Sequence, residues 1–143
     1  MREELKERLL KHLNFLEAEL REYQKFKRLT QDEYANDRDK GRNTERWIEN
    51  IVNSSIDISK VILSLEEKVL PENYKGIVLL ASFVGELGFD RGETLAYWVK
   101  LRNIVAHEYL DIRWSFIKRF IAETGTLYVN IRLTHGVFGS MWN

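Results

Sequence analysis

The stretch Leu101–Tyr109 brings an arginine, an asparagine, a histidine and a tyrosine together within nine residues. Four residues separate Arg102 from His107, and one more separates His107 from Tyr109, which gives the pattern R-x-x-x-x-H-x-Y. An arginine stays charged and presents a planar set of donors that fits a phosphate group. A histidine accepts or donates a proton near neutral pH. The pair therefore predicts chemistry on a phosphodiester.

The spacing within this motif decides whether one chain can use both residues. On a regular helix Arg102 and Tyr109, seven residues apart, share a face, whereas Asn103 and His107, four apart, share the neighbouring one. His107 then points away from Arg102. The two side chains meet at one phosphate only if the helix frays or if a second copy of the chain supplies half of the site. A two-fold dimer meets the second condition, because each motif then faces its own copy.

Structural roles stay open for the same residues. A histidine near the end of a helix often serves as a hydrogen-bonded cap, and Arg102 has Glu93 and Glu108 as candidate ion-pair partners. Short motifs also produce many false matches. Two aromatic residues near the motif, Trp98 and Trp114, could stack on bases, but helical spacing predicts them as core residues. Spacing alone leaves both a catalytic and a structural interpretation.

The composition bounds the class of protein. With 143 residues the chain is expected to form one domain, residues 1–143. Basic and acidic residues both number 22, so the formal net charge is zero and any nucleic-acid binding must rest on a local basic patch. Cysteine is absent and the three histidines show no metal-ligand spacing, so neither a metal site nor a cofactor is predicted.

Targeting and membrane signals are also missing from the sequence. The charged, helical N-terminus is unlike a secretory signal. The longest apolar run, Ile77–Val84, is too short to cross a bilayer. A soluble cytoplasmic protein with no membrane partner is expected.

Apolar residues recur at helical steps along most of the chain and predict an all-α fold. A long amphipathic helix is predicted over residues 3–29, and Thr30 with Glu33 has the form of a capping box that starts a short helix. The polar stretch Asn36–Gly41 is predicted to be a turn. Further helices are predicted over residues 42–69 and 74–87, between Asp90 and His107, and from residue 111 onward.

Some details of these elements can be tested individually. The helix over residues 74–87 is apolar nearly all round and is expected to be the most buried, with Gly88 as its C-cap and Asp90 as the N-cap of the next helix. Residues 126–133 allow a strand as an alternative, and residues 134–143 read as a loose tail. The expected architecture is an up-and-down bundle of five to six helices that dimerises around the R-x-x-x-x-H-x-Y motif.

A helical bundle carrying Leu101–Tyr109 on its penultimate helix resembles the HEPN superfamily, specifically its HepT-like branch. The likeness covers roughly residues 3–133. It includes the long first helix, the short helix near Thr30, the helix with Arg46-Trp47-Ile48-Glu49, the apolar helix through Leu79 and Phe83, and the helix after Asp111.

The resemblance implies a metal-independent ribonuclease toxin that acts as a homodimer on RNA. Arg102 would hold the scissile phosphate, His107 would act as general base or acid, and Asn103 would give a supporting polar contact. Lys100 and Arg46, which belong to local groups of positive charge, are predicted to contact RNA. The expected products are a 2′,3′-cyclic phosphate and a 5′-hydroxyl, because the internal nucleophile is already in place.

The resemblance also implies a partner. The antitoxin of such pairs is a minimal nucleotidyltransferase that attaches AMP to the motif tyrosine, which is Tyr109 here. Phosphates added on the face of Arg102 would compete with bound RNA. The rival hypothesis is a non-catalytic module that binds a nucleotidyltransferase, its nucleotide or its substrate, and the neutral charge and off-face His107 favour it. A plain helical scaffold is a third possibility.

Overall fold

The computed structural model describes residues 2–84, 89–107, 110 and 112–125, with residues 89–91, 106 and 107 described through their backbone only. All regular structure within these ranges is helical and packs as a bundle, which confirms the predicted all-α fold. The elements are α1 (Arg2–Arg21), α2 (Tyr23–Lys27), α3 (Gln31–Asn36), α4 (Arg38–Leu65), α5 (Tyr74–Val84) and α6 (Phe89–His107). Residues 112–125 are also helical and are called the C-terminal segment below.

The predicted first helix is interrupted at Glu22, which separates α1 from α2. The carbonyl oxygen of Glu19 accepts from the Glu22 amide at 3.1 Å and from the Trp47 indole Nε1 at 2.7 Å. In a continuous α-helix this oxygen would serve the amide of residue 23. The break lets Phe26 stack on Trp47 with ring centroids 4.3 Å apart. A tertiary contact therefore overrides the helical pattern of the sequence.

The Thr30 capping box forms as predicted, with the Thr30 hydroxyl accepting from the Glu33 amide and the Glu33 carboxylate accepting from the Thr30 amide. The predicted turn over Asn36–Gly41 was wrong in extent. Asp37 caps α4 by accepting from the amides of residues 39 and 40, so α4 begins at Arg38. Gly41 lies inside the helix, where a Cβ would stand 2.9 Å from the Tyr34 carbonyl oxygen. That glycine serves close packing of α3 on α4 and does not end a turn.

Helix α4 is the centre of the bundle, because α1, α3, α5 and α6 all pack against it. It also carries more buried residues than α5, so the prediction that α5 is the most buried helix was wrong. Phe83 on the outer side of α5 is 83% exposed, while Ile77, Val78, Ala81 and Ser82 face the core. At Gly92 of α6 a Cβ would lie 3.1 Å from the Ser82 Cβ, which shows how closely α5 and α6 approach.

The end of α4 at Leu65 comes earlier than predicted, because the chain closes it with a Schellman motif before Pro71 is reached. The Lys68 amide donates to Leu63 at 2.9 Å and the Glu67 amide to Ser64 at 3.1 Å. Glu67 takes a left-handed conformation with φ of 55°.

Replacing Glu67 by glycine is expected to stabilise the fold. The left-handed region costs a residue with a Cβ roughly 1–2 kcal/mol, and glycine avoids this cost. Glycine also makes the unfolded chain more flexible, which offsets part of the gain. Glu67→Gly should therefore raise the free energy of unfolding by about 1 kcal/mol. The matched control is Glu66→Gly, where φ is −88° and glycine should destabilise. Urea denaturation measures both, and a shift in the same direction for the two variants would refute the assignment.

Several sequence predictions lie outside the described residues. These are the C-cap at Gly88, the strand alternative for residues 126–133 and the loose tail over residues 134–143. Helix α6 spans Phe89–His107, so Asp90 lies within the helix and not before it as its N-cap. Of the predicted core tryptophans, Trp98 is fully buried and Trp114 is half-buried against Tyr34.

Candidate active site

Helix α6 holds the start of the motif against the core. Trp98 and Leu101 are fully buried, and the Trp98 ring packs on Phe120 of the C-terminal segment with centroids 4.7 Å apart. The Trp98 indole Nε1 donates to Glu123 Oε2 at 2.8 Å, so the buried donor is satisfied. Arg102 follows Leu101 directly and is half-buried. Its backbone position is therefore set by well-packed neighbours.

The guanidinium of Arg102 is held by two other helices. Its Nη1 donates to Asn53 Oδ1 of α4 at 2.6 Å, and its Cζ lies 5.3 Å from the ring centroid of Tyr74, the first residue of α5. An amide oxygen and an aromatic face orient the cation without cancelling its charge. Arginine has five N–H donors, and the bond to Asn53 uses one of them. The others can serve an anion.

A second cation shares the same aromatic ring. Lys60 Nζ lies 5.2 Å from the Tyr74 ring centroid, and Lys60 follows Asn53 by seven residues on one face of α4. We call Asn53, Lys60, Tyr74 and Arg102 the Arg102 cluster. Tyr74 remains 43% exposed, so solvent reaches it.

The two cations of the Arg102 cluster have no ion-pair partner among the residues that the structure describes. The structure therefore does not form the alternative ion pair between Glu93 and Arg102. The other candidate partner, Glu108, lies outside the described residues. Two cations at an accessible aromatic face favour an anionic ligand.

The other predicted site residues are placed less closely. Asn103, Lys100 and Arg46 are all exposed. Lys100 precedes Arg102 by two residues, which puts it on a different side of α6. Arg46 precedes Asn53 by seven residues on the same face of α4, about 10 Å along the helix axis. The structure thus brings neither basic residue into the Arg102 cluster.

His107 is the last residue of α6, but its side chain lies outside the described residues, as does the whole of Tyr109. Their predicted roles as proton-transfer residue and modification site stay predictions. What the structure shows is that both flanks of the motif are anchored. Arg113 Nη1, beyond the motif, donates to Glu45 Oε1 of α4 at 3.1 Å.

The anchor at Glu45 is shared with α3. The Tyr34 hydroxyl donates to Glu45 Oε1 at 2.6 Å, and the Tyr34 ring stacks on Trp114 with centroids 5.7 Å apart. Burial and the neighbouring Glu45 carboxylate raise the pKa of Tyr34 well above its usual range. The phenol therefore stays a hydrogen-bond donor at any physiological pH, and the clamp on the C-terminal segment persists.

Sequence reasoning missed three members of the Arg102 cluster, namely Asn53, Lys60 and Tyr74. The only signal in the sequence is the seven-residue spacing of Asn53 and Lys60, which a polar stripe on any exposed helix shares. The contact of Arg102 with Asn53 joins residues 49 positions apart and depends on the packing of α6 on α4.

Among the residues that the structure describes, no three His, Asp or Glu side chains come together as a group that could hold a metal ion. In the same part of the chain, no helix has the length and apolar character needed to span a membrane.

Comparison with known proteins gives one informative result. Neither the curated proteins nor the solved structures contain a match to this chain. A family model described as "Ribonuclease HepT-like" matches residues 16–127, which include α4, α5, α6 and the Arg102 cluster. Because this match extends over well more than half of the sequence, the chain belongs to the HepT-like ribonuclease family.

Proposed function

We propose that this protein is a metal-independent endoribonuclease toxin of a toxin–antitoxin pair. The proposal rests on Arg102, the first residue of the family motif. Asn53 and Tyr74 orient its guanidinium, and no carboxylate among the described residues forms an ion pair with it. Such a cation is ready to hold a phosphate group. A toxin that cuts cellular RNA would act in the cytoplasm.

The chemistry follows from the residue types. His107 takes the proton of a ribose 2′-hydroxyl, the 2′-oxygen attacks the adjacent phosphorus, and the bond from phosphorus to the 5′-oxygen breaks. The 5′-oxygen takes up a proton from water and His107 returns its proton to the solvent, which leaves a 2′,3′-cyclic phosphate and a 5′-hydroxyl. Arg102 stabilises the charge that builds on the phosphate oxygens. Asn103, exposed beside Arg102, supplies a supporting polar contact.

A substrate comparison tests this mechanism. An RNA oligonucleotide should be cut, whereas the same sequence with a 2′-deoxy sugar at the scissile position should stay intact, because the nucleophile is missing. Mass spectrometry should find the cyclic phosphate on the RNA product. Cleavage of the deoxy-substituted strand at the same position would rule out 2′-hydroxyl attack.

The homodimer is the second part of the proposal. Arg102 and His107 are five residues apart, a spacing that separates the faces of a regular helix. We therefore propose that each site combines Arg102 of one protomer with His107 of the other.

Mixing two inactive variants tests the composite site. Arg102→Ala and His107→Ala proteins, co-purified to form mixed dimers, should regain about a quarter of wild-type activity, because half the dimers are mixed and each holds one complete site of two. Each variant alone is the control. No recovery in a preparation shown to contain mixed dimers would place both residues of a site in one chain.

The antitoxin is the third part of the proposal. A minimal nucleotidyltransferase would silence the toxin by transferring AMP from ATP to the Tyr109 hydroxyl with release of pyrophosphate, which adds negative charge where RNA phosphates bind. Co-expression with the cognate minimal nucleotidyltransferase should add the mass of AMP to a peptide containing Tyr109. Tyr109→Phe should remain unmodified and active, and modification of that variant would exclude Tyr109 as the acceptor.

The rival proposal is a non-catalytic module that binds a nucleotidyltransferase or its nucleotide. The zero net charge of the chain favours it, because polyanion-binding proteins usually carry a basic surface. It predicts binding of the partner by a protein with unmodified Tyr109 that cuts no RNA.

A further inference from the structure

A pocket of about 240 Å³ opens on the surface between α2, α3 and the first turns of α4, away from the Arg102 cluster. Nothing in the proposed mechanism uses it. The residues lining it are Lys25, Phe26, Arg28, Leu29, Glu33, Lys40, Asn43 and Thr44. We call it the α2–α4 pocket.

The α2–α4 pocket has an apolar floor and a basic rim. Phe26 and Thr44 are buried at its base, whereas Lys25, Arg28 and Asn43 are exposed. Among the described residues no carboxylate pairs with Lys25 or Arg28. The one acid in the lining, Glu33, is already bound to Lys40. Phe26 is only 5% exposed, because its ring stacks on Trp47, and Lys25 Nζ lies 5.5 Å from its centroid. The pocket therefore presents two cations without a carboxylate partner among the described residues, beside a partly apolar floor.

The pocket is preformed, because independent contacts fix each element around it. Phe26 stacks on Trp47, whose indole is bonded to the Glu19 carbonyl oxygen. The Thr44 hydroxyl donates to the Lys40 carbonyl oxygen at 2.7 Å. The Thr30 capping box sets the start of α3. A ligand here would meet an ordered site and would not have to organise it.

Position along α4 separates this pocket from the proposed reaction centre. Thr44 precedes Asn53 by nine residues, so the pocket lies about 14 Å or more along the helix axis from the Arg102 cluster. Two exposed arginines lie nearby on α4: Arg42 just before Thr44, and Arg46 between Thr44 and Asn53. A ligand in the pocket would not touch the phosphate held by Arg102.

We propose that the α2–α4 pocket binds one nucleotide, with its base against the half-buried Leu29 and its phosphate at Lys25 and Arg28. Aromatic and apolar surfaces take a base without regard to sequence, and Arg and Lys hold its phosphate. Asn43 is placed to hydrogen-bond a base edge. The nucleotide is a flanking residue of the RNA substrate, an assignment that rests on the proposed function.

Binding measurements test the pocket without any cleavage. The ligands are free AMP and a fluorescent single-stranded RNA carrying 2′-O-methyl groups, which the wild-type protein cannot cut by 2′-hydroxyl attack. The pocket variants are Lys25→Glu with Arg28→Glu, which reverses the rim charge, and Asn43→Trp, which fills the volume. The matched control is Arg8→Glu with Lys11→Glu, the same charge change at exposed positions of α1.

Both pocket variants should weaken AMP and RNA binding at least tenfold, and the control should stay within about twofold. In cleavage assays the same variants should raise KM for long RNA and leave turnover of a dinucleotide unchanged. Loss of AMP binding with unchanged RNA binding would confirm a nucleotide site and overturn its assignment to the substrate. AMP binding unaffected by both variants, or binding of an acidic peptide in its place, would overturn the proposal. Absence of cleavage by protein with unmodified Tyr109 would refute the ribonuclease alone, because AMP binding does not require cleavage.

Discussion

Arg102→Ala is expected to lower the rate of RNA cleavage about 10³-fold, which is the loss typical when a preorganised donor to a developing oxyanion is removed. The guanidinium is fixed by the 2.6 Å bond to Asn53 and by the Tyr74 ring before any substrate arrives. Little reorganisation is then needed when charge builds on the phosphate. Single-turnover cleavage of a labelled RNA measures the effect.

Two controls separate catalysis from folding and from bulk charge. Arg102→Lys keeps the charge but has no fork to bond Asn53 and a phosphate together, so its rate should fall between those of the wild type and the alanine variant. Lys100→Ala removes a cation from another side of α6 and should change turnover little. Equal loss in Lys100→Ala and Arg102→Ala would show that general electrostatic attraction, and not the Arg102 cluster, drives the reaction.

Trp98→Ala is expected to lower the free energy of unfolding by about 3–5 kcal/mol. The side chain is fully buried and packs on Phe120, and its indole N–H donates a hydrogen bond to the Glu123 carboxylate. Truncation leaves a cavity between α6 and the C-terminal segment and removes a partly buried hydrogen bond. Urea denaturation followed by far-UV circular dichroism measures the change.

The control for this prediction is the truncation of another large apolar side chain that is less buried. Phe15 on α1 is 46% exposed, so Phe15→Ala should cost less than about 1 kcal/mol. A similar loss for the two variants would mean that the packing of α6 against the C-terminal segment does not hold the bundle together. Because Trp98 lies one turn before Arg102, its loss should also disturb the site.

Local patterns predicted most of the fold correctly. The capping box at Thr30 and the apolar stripe of α4 depend on residues a few positions apart, and such spacing is visible in the sequence. Two errors arose where a distant group decides the outcome, whereas the start and the early end of α4 depend on local capping bonds. The break at Glu22 depends on the hydrogen bond from Trp47. Gly41 is needed because a Cβ there would clash with the carbonyl oxygen of Tyr34.

The candidate site shows the same division. The motif marked Arg102 as a phosphate-binding residue because its spacing from His107 is local. The residues that orient Arg102 could not be found, because Asn53 and Tyr74 meet it only after α4, α5 and α6 have packed. The apolar composition of α5 also gave a wrong prediction of its burial. Only one side of the helix is covered, which leaves Phe83 exposed to solvent.

The central claim is that this chain cuts RNA without a metal ion at the Arg102 motif. The most direct measurement is cleavage of RNA by the purified wild-type protein in excess chelator, beside His107→Ala protein with the same circular dichroism spectrum. We expect cleavage by the wild type and none by the variant. Equal cleavage by both would assign the activity to a contaminant. No cleavage by wild-type protein whose Tyr109 is shown by mass spectrometry to be unmodified would contradict the claim and favour the binding module.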